Sequence, residues 1–188
     1  MVGLGNPGRE YRENRHNVGF MAVDALAEKL DTRMGKVQFK AITGQARLGE
    51  RKVILAKPQT YMNLSGQAVS SLVRYYKVPL THLLVMHDDL DLPLGTLRLR
   101  PGGGSAGQKG LASIIQQLGT QQFPRLRIGI GRPPGQMPAA AYVLQNFSSG
   151  DEELLRFVLG RAAEAATAFM EHGLEYAMNQ FNGSVDQE

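Results

Sequence analysis

The chain has 188 residues, 43% hydrophobic and 20% charged, which suits one soluble domain spanning residues 1–188 with a sizeable core. It contains no cysteine, which excludes disulfides and thiolate nucleophiles and fits a reducing, cytoplasmic setting. A net charge of +4 points to a polyanionic partner rather than a membrane, although a solvated basic surface explains the charge alone equally well; no apolar run approaches a membrane span, and no signal peptide is expected ahead of the first glycines.

Residues 1–4 read as a first strand, short enough to expect further residues upstream. A rigid glycine turn follows, with Asn6 inside it and Pro7 stiffening it. Gly3-x-Gly5-x-x-Gly8 matches a dinucleotide fingerprint, but that motif should run from strand directly into helix. Here Pro7 and the polar run 9–15 delay the helix to about residue 17. A tight turn or a catalytic loop therefore competes with nucleotide binding. Residues 18–30 have a helical apolar face formed by Val18, Met21, Ala22, Ala25 and Leu26. Residues 37–57 read as a hairpin with Gly49-Glu50 at its bend. Pro58 ends it, a loop covers 59–65, and a helix with Ser65 as its N-cap continues to about 76.

Leu83-Leu84-Val85-Met86 is a continuous apolar run, as expected of a central strand over 82–87 covered on both faces. Asp88, Asp89 and Asp91 come directly after it, the last two along a loop. Residues 96–100 and 125–130 read as strands. Between them lie the glycine-dense loop 102–107 and a helix over 108–118 stopped by Gly119. After the proline-rich loop 132–138, Ser149-Gly150-Asp151-Glu152 opens a last long helix. Strands alternating with helices predict an α/β fold: a three-layer sandwich with a mixed, mostly parallel sheet and helices on both faces. In such sheets ligands bind beyond the carboxyl ends of the strands, where Asn6, Asn63 and Asp88 would gather with His16.

His16 can serve as a general base if a carboxylate fixes its tautomer, and Asp88 is the best-placed carboxylate. With no cysteine and no serine elbow, the attacking group would be an activated water. Asn6 and Asn63 can orient a carbonyl or that water. His87-Asp88-Asp89-x-Asp91 invites a metal reading, but neighbours in a strand face opposite ways, so the chain is expected to hold no metal. Arg98 and Arg100 share one strand face, as do Arg125 and Arg127. With Lys109 they can grip phosphates, or can be plain surface charges.

Gly3-Leu4-Gly5-Asn6-Pro7-Gly8-x-x-Tyr11-x-x-x-Arg15-His16-Asn17 resembles the opening signature of bacterial-type peptidyl-tRNA hydrolases. Lys57-Pro58-x-Thr60-Tyr61-Met62-Asn63-Leu64-Ser65-Gly66 resembles the second motif and His87-Asp88-Asp89-Leu90-Asp91-Leu92-Pro93-x-Gly95 the third. The loop 102–110 with Arg125-Leu126-Arg127-Ile128-Gly129-Ile130-Gly131 resembles the fourth. The resemblance implies cleavage of the ester joining a peptide to tRNA, which recycles tRNA from peptidyl-tRNA dropped by stalled ribosomes. It implies His16 as base, Asp88 as its support, and Asn6 and Asn63 as the amides holding the peptide end. Met62 becomes an apolar wall, Tyr11 a residue near the tRNA end, and Arg100 and Arg127 a clamp on the tRNA 5′-phosphate. It implies no metal, no organic cofactor, no obligate protein partner and a monomer. Two departures stand out. Lys109 occupies a position where many members carry asparagine, and Ser105-Ala106 replaces a common histidine-glycine pair. A non-enzymatic RNA-binding relative is the alternative, and a nucleotide-binding oxidoreductase a third; the retained His16 and Asp88 favour the hydrolase.

Overall fold

The run Leu83 to Met86 lacks alternation because helices cover the strand it enters on both sides. A computed structural model describes residues 1–185. Eight described strands form one sheet: β1 (Val2–Gly3), β2 (Lys36–Gln38), β3 (Ala41–Leu48), β4 (Arg51–Pro58), β5 (Val85–Asp89), β6 (Thr96–Arg100), β7 (Arg125–Gly129) and β8 (Gly183–Ser184). Their order is β2-β3-β4-β1-β5-β7-β6-β8. The helices are α1 (Val18–Lys29), α2 (Ser65–Tyr76), α3 (Lys109–Leu118), α4 (Ala139–Val143), α5 (Glu152–His172) and α6 (Leu174–Phe181).

The expected α/β sandwich is present. On one face Val18, Ala22 and Leu26 of α1 and Val158, Ala162 and Ala166 of α5 pack over Met86, Leu97, Leu126 and Ile128. On the other, Val69 and Leu72 of α2 and Leu111 and Ile114 of α3 cover Val2, Leu4 and Val85. The sheet is mixed, but its parallel part is smaller than expected. Only the pairs β1–β4, β1–β5 and β5–β7 are parallel; β2–β3, β3–β4, β6–β7 and β6–β8 are antiparallel. The excess comes from short edge strands. β2, with Val37 mostly exposed, and the two-residue β8 bury too little apolar surface to be read from pattern.

Three local details differ from the sequence reading. The central strand β5 starts and ends later than expected, because Leu80–His82 forms a 3-10 turn and Asp88 and Asp89 continue the ladder opposite Ile128 and Gly129. Ser65 is the first residue of α2 rather than its N-cap; its hydroxyl donates back to the Met62 carbonyl at 2.8 Å. The last helix is two, α5 and α6, broken at Gly173 with φ +87°.

The feature that places the site is the crossing of α1 over β1 and β5. A Cβ on Gly19 would lie 2.4 Å from the Met86 carbonyl oxygen and 2.6 Å from Leu4 N. A Cβ on Gly3 would lie 2.0 Å from the Gly19 oxygen. Backbone therefore packs on backbone here, and the Leu4 carbonyl accepts from Phe20 N at 3.2 Å. Gly3 and Gly5 serve this packing, and the described helix α1 begins only at Val18, so the glycine turn does not open a helix that could bind a pyrophosphate. Gly19→Ala should lower stability by about 1–3 kcal/mol or more, since the neighbours are backbone and cannot rotate away. Thermal melting of the variant measures this; an unchanged midpoint would mean that the crossing is looser than described.

Candidate active site

The site begins with a turn that cannot move freely. Asn17 Oδ1 accepts the Asn6 backbone N–H and Asn17 Nδ2 donates to the Asn6 carbonyl, both at 2.9 Å. This two-way bond locks the glycine turn to the residues just before α1. Asn6 Oδ1 then accepts from Met62 N at 2.8 Å. Its Nδ2 has no hydrogen-bond partner among the described residues and remains a donor for a ligand.

His16 lies in the 3-10 turn Arg15–Asn17, and that turn is stapled to the segment after α4. Arg15 donates from Nη1 to the Asn146 carbonyl at 2.6 Å, and its guanidinium lies 4.4 Å from the Tyr142 ring centre. Asn14 Nδ2 donates to Asn146 Oδ1 at 2.7 Å. So held, His16 Nδ1 sits 2.8 Å from Asp88 Oδ2. A carboxylate only accepts, so the shared proton belongs to Nδ1 and the Nε2 lone pair is left to take a proton. Asp88 is 4% exposed, His16 12% at its side chain, so the pair is shielded from water on the Asp88 side. The second Asp88 oxygen, Oδ1, accepts from Gln108 Nε2 at 3.0 Å.

A cleft of about 650 Å³ opens in front of this pair. Asn6, His16, Met62, Asn63, Asp88 and Lys109 all line it, so the fold gathers six of the nine residues singled out from sequence. Leu90, Ala139, Ala140, Val143 and Leu144 give one side an apolar wall. The Ser105–Gly107 loop tip and exposed Lys109 form another part of the rim.

A family model for peptidyl-tRNA hydrolase matches residues 1–188. The chain belongs to the peptidyl-tRNA hydrolase family. It is 54% identical over 183 residues to the peptidyl-tRNA hydrolase of Moorella thermoacetica, covering 97% of this chain and 96% of that one. It is 47% identical over 188 residues to the mitochondrial peptidyl-tRNA hydrolase of Oryza sativa subsp. japonica, covering all of this chain and 75% of the relative. The crystal structure of peptidyl-tRNA hydrolase from Acinetobacter baumannii at 1.00 Å resolution superposes with a TM-score of 0.91 at 36% identity, covering 97% of this chain and 93% of that one.

The other three residues that the family resemblance singled out lie outside the cleft lining. Tyr11 is half-buried in the 3-10 turn Arg9–Tyr11. Arg100 is exposed at the end of β6. Arg127 on β7 donates from Nε to Asp89 Oδ2 at 2.6 Å. Asp89 is thus a buried partner of Arg127 rather than a loop residue. The arginine pairing read from the strand period also divides. Arg125 is 2% exposed and donates to the carbonyls of Gly103 at 2.7 Å, Gly104 at 3.1 Å and Gln121 at 2.8 Å. It pins the base of the glycine loop and is no surface charge.

His87 is buried on the face of β5 opposite Asp88, its Nδ1 donating to the Asp88 carbonyl at 2.7 Å. Burial pulls its imidazole below the ordinary 6.5, against the opposing pull of Asp88 and Asp89. Its neutral form therefore contributes stability that is present above pH 6.5 and is lost as pH falls below that value. Among the described residues no three histidine, aspartate or glutamate side chains are grouped to hold a metal. Two residues of this site escaped the sequence reading. Asn17, beside His16, had a signal in its position only. Gln108 had one as a polar residue between the glycines and α3, but nothing in sequence brings it to Asp88.

Proposed function

We propose that this member of the peptidyl-tRNA hydrolase family cuts the ester between a peptide and tRNA in the cleft in front of His16. His16 Nε2 takes a proton from a water, and the resulting hydroxide attacks the ester carbonyl. Asp88 holds the imidazole in the required tautomer and stabilises the cation that forms. The free Asn6 donor and the Asn63 amide orient the peptide end. Met62 and the wall from Leu90 to Leu144 accept its apolar parts. The proton on His16 then goes to the departing ribose oxygen. The observation that carries this reading is the His16–Asp88 contact at 2.8 Å facing a cleft large enough for an acylated nucleotide end. The proposal includes a single-domain, cytoplasmic monomer without metal or organic cofactor, acting on peptidyl-tRNA dropped by ribosomes. The continuous sheet and the cysteine-free composition suit it.

The test is incubation with a purified peptidyl-tRNA, following release of free tRNA. The parent chain should turn over. His16→Ala should lose about a hundredfold or more in rate while still binding tRNA. Parent-like turnover in that variant would remove His16 from the reaction.

The phosphate-binding part rests on Arg100, Arg127 and Lys109, with Tyr11 near the tRNA end. Of these three cations, Arg127 spends its Nε on Asp89, whereas Arg100 and Lys109 have no ion-pair partner among the described residues. In this proposal Lys109 is an electrostatic group, acting on a phosphate or on the developing oxyanion, where an asparagine would position by hydrogen bonds. Replacing Arg100 and Lys109 together by glutamine should raise KM and reduce the salt slope of binding by about one to two units. A slope equal to that of the parent would make both of them surface charges only.

A further inference from the structure

Gln108 performs two jobs with one amide. It is the N-cap of α3, and its Oε1 accepts the Leu111 backbone N–H at 2.8 Å. Only an oxygen can accept there, so the amide orientation is fixed and Nε2 must point the other way. Nε2 lies 3.0 Å from Asp88 Oδ1 and 3.3 Å from Met62 Sδ. Gln108 is 9% exposed and Asp88 4%, so water competes little for either group.

The consequence concerns how a buried carboxylate is kept in line. Asp88 Oδ2 is committed to His16 Nδ1 at 2.8 Å. Without a donor on Oδ1 the carboxylate would hold a buried charge on a single side-chain bond and could turn about its last torsion, which has no sharp minima. Gln108 supplies that donor and closes the turn off. Gly110 is what lets the helix start come this near: a Cβ there would sit 2.6 Å from Met62 Sδ and 2.8 Å from Leu4 Cδ1.

We propose that Gln108 is a positioning residue for hydrolysis, transmitting the fixed direction of the first α3 amides through Asp88 to His16. The chain of contacts is Leu111 N–H, Gln108 amide, Asp88 carboxylate, His16 imidazole. This rests on the reading of His16 and Asp88 as base and support. The residue before Gln108 is Gly107 with φ +83°, and Ala106 has φ +47°, so the amide hangs on the end of the glycine loop. Any shift of that loop end draws Nε2 away from Asp88 and loosens the base.

The helix cap and the Asp88 contact are separable. In Gln108→Ser the short hydroxyl still caps α3 but cannot reach Asp88. The melting temperature and KM for peptidyl-tRNA should stay near parent values while kcat falls about tenfold, as expected for loss of one hydrogen bond to a charged acceptor. Gln108→Met keeps the volume and loses both contacts; it should show the same fall in kcat together with a lower melting temperature. His16→Ala is run beside them. If it is inactive and Gln108→Ser has parent kcat, the positioning role is wrong and the base assignment stands. If His16→Ala is itself unimpaired, the reading beneath the inference fails. A fall in kcat for Gln108→Ser matched by a lower melting temperature and weaker tRNA binding would reduce Gln108 to a helix cap and overturn the proposal.

Discussion

Asp88 places a carboxylate inside the protein, where an unpaired charge is costly, and the surrounding elements meet that constraint from three directions. β5 delivers it from the most buried ladder of the sheet, the turn before α1 brings His16 to one oxygen, and the start of α3 brings Gln108 to the other. Each partner is in turn fixed by something else: His16 by the Arg15 and Asn14 staples to the segment after α4, Gln108 by the Leu111 amide. The pair in the cleft is thus the visible end of a packed assembly, and this is why a histidine in a loop can hold one geometry.

The same geometry depends on small residues far from any chemistry. Gly3, Gly19 and Gly110 let α1 and α3 approach β1 closely enough for side chains on three different elements to meet. The hydrogen bonds of Asn17 to both backbone groups of Asn6 serve a like purpose at the glycine turn. Asn6 then spends its side-chain oxygen Oδ1 on the Met62 backbone N–H, and the Nδ2 donor left over is available to the cleft that Asn6 lines. Rigid supply of donors and acceptors, set before substrate arrives, is what makes a loop-built site effective.

Much of this was legible in the sequence. The uninterrupted run Leu83 to Met86 pointed to a doubly covered central strand, and the alternation of strand and helix to a layered α/β fold. His16 and Asp88 stood out because one follows a rigid turn and the other follows the apolar run. What escaped had physical reasons. β2 and β8 bury little, so no pattern marks them. Asp88 and Asp89 were expected beyond the strand because of their polarity, yet ladder bonds to β7 continue through them and each side chain finds a partner. Arg125 and Arg127 share a strand period, but one pins the glycine loop and the other meets Asp89, a difference set by contacts distant in sequence. Gln108 was silent because its partner lies 20 residues away across a strand and a loop.

The central claim is that His16 and Asp88 act as one unit. A double-mutant cycle on kcat with His16→Ala, Asp88→Ala and both together addresses it directly, with tRNA binding measured in each to confirm intact folding. If Asp88 works only through the imidazole, the double variant loses about as much rate as His16→Ala alone. If the two losses multiply, the carboxylate acts independently of the histidine, and the arrangement of contacts around Asp88 serves some purpose other than orienting the base.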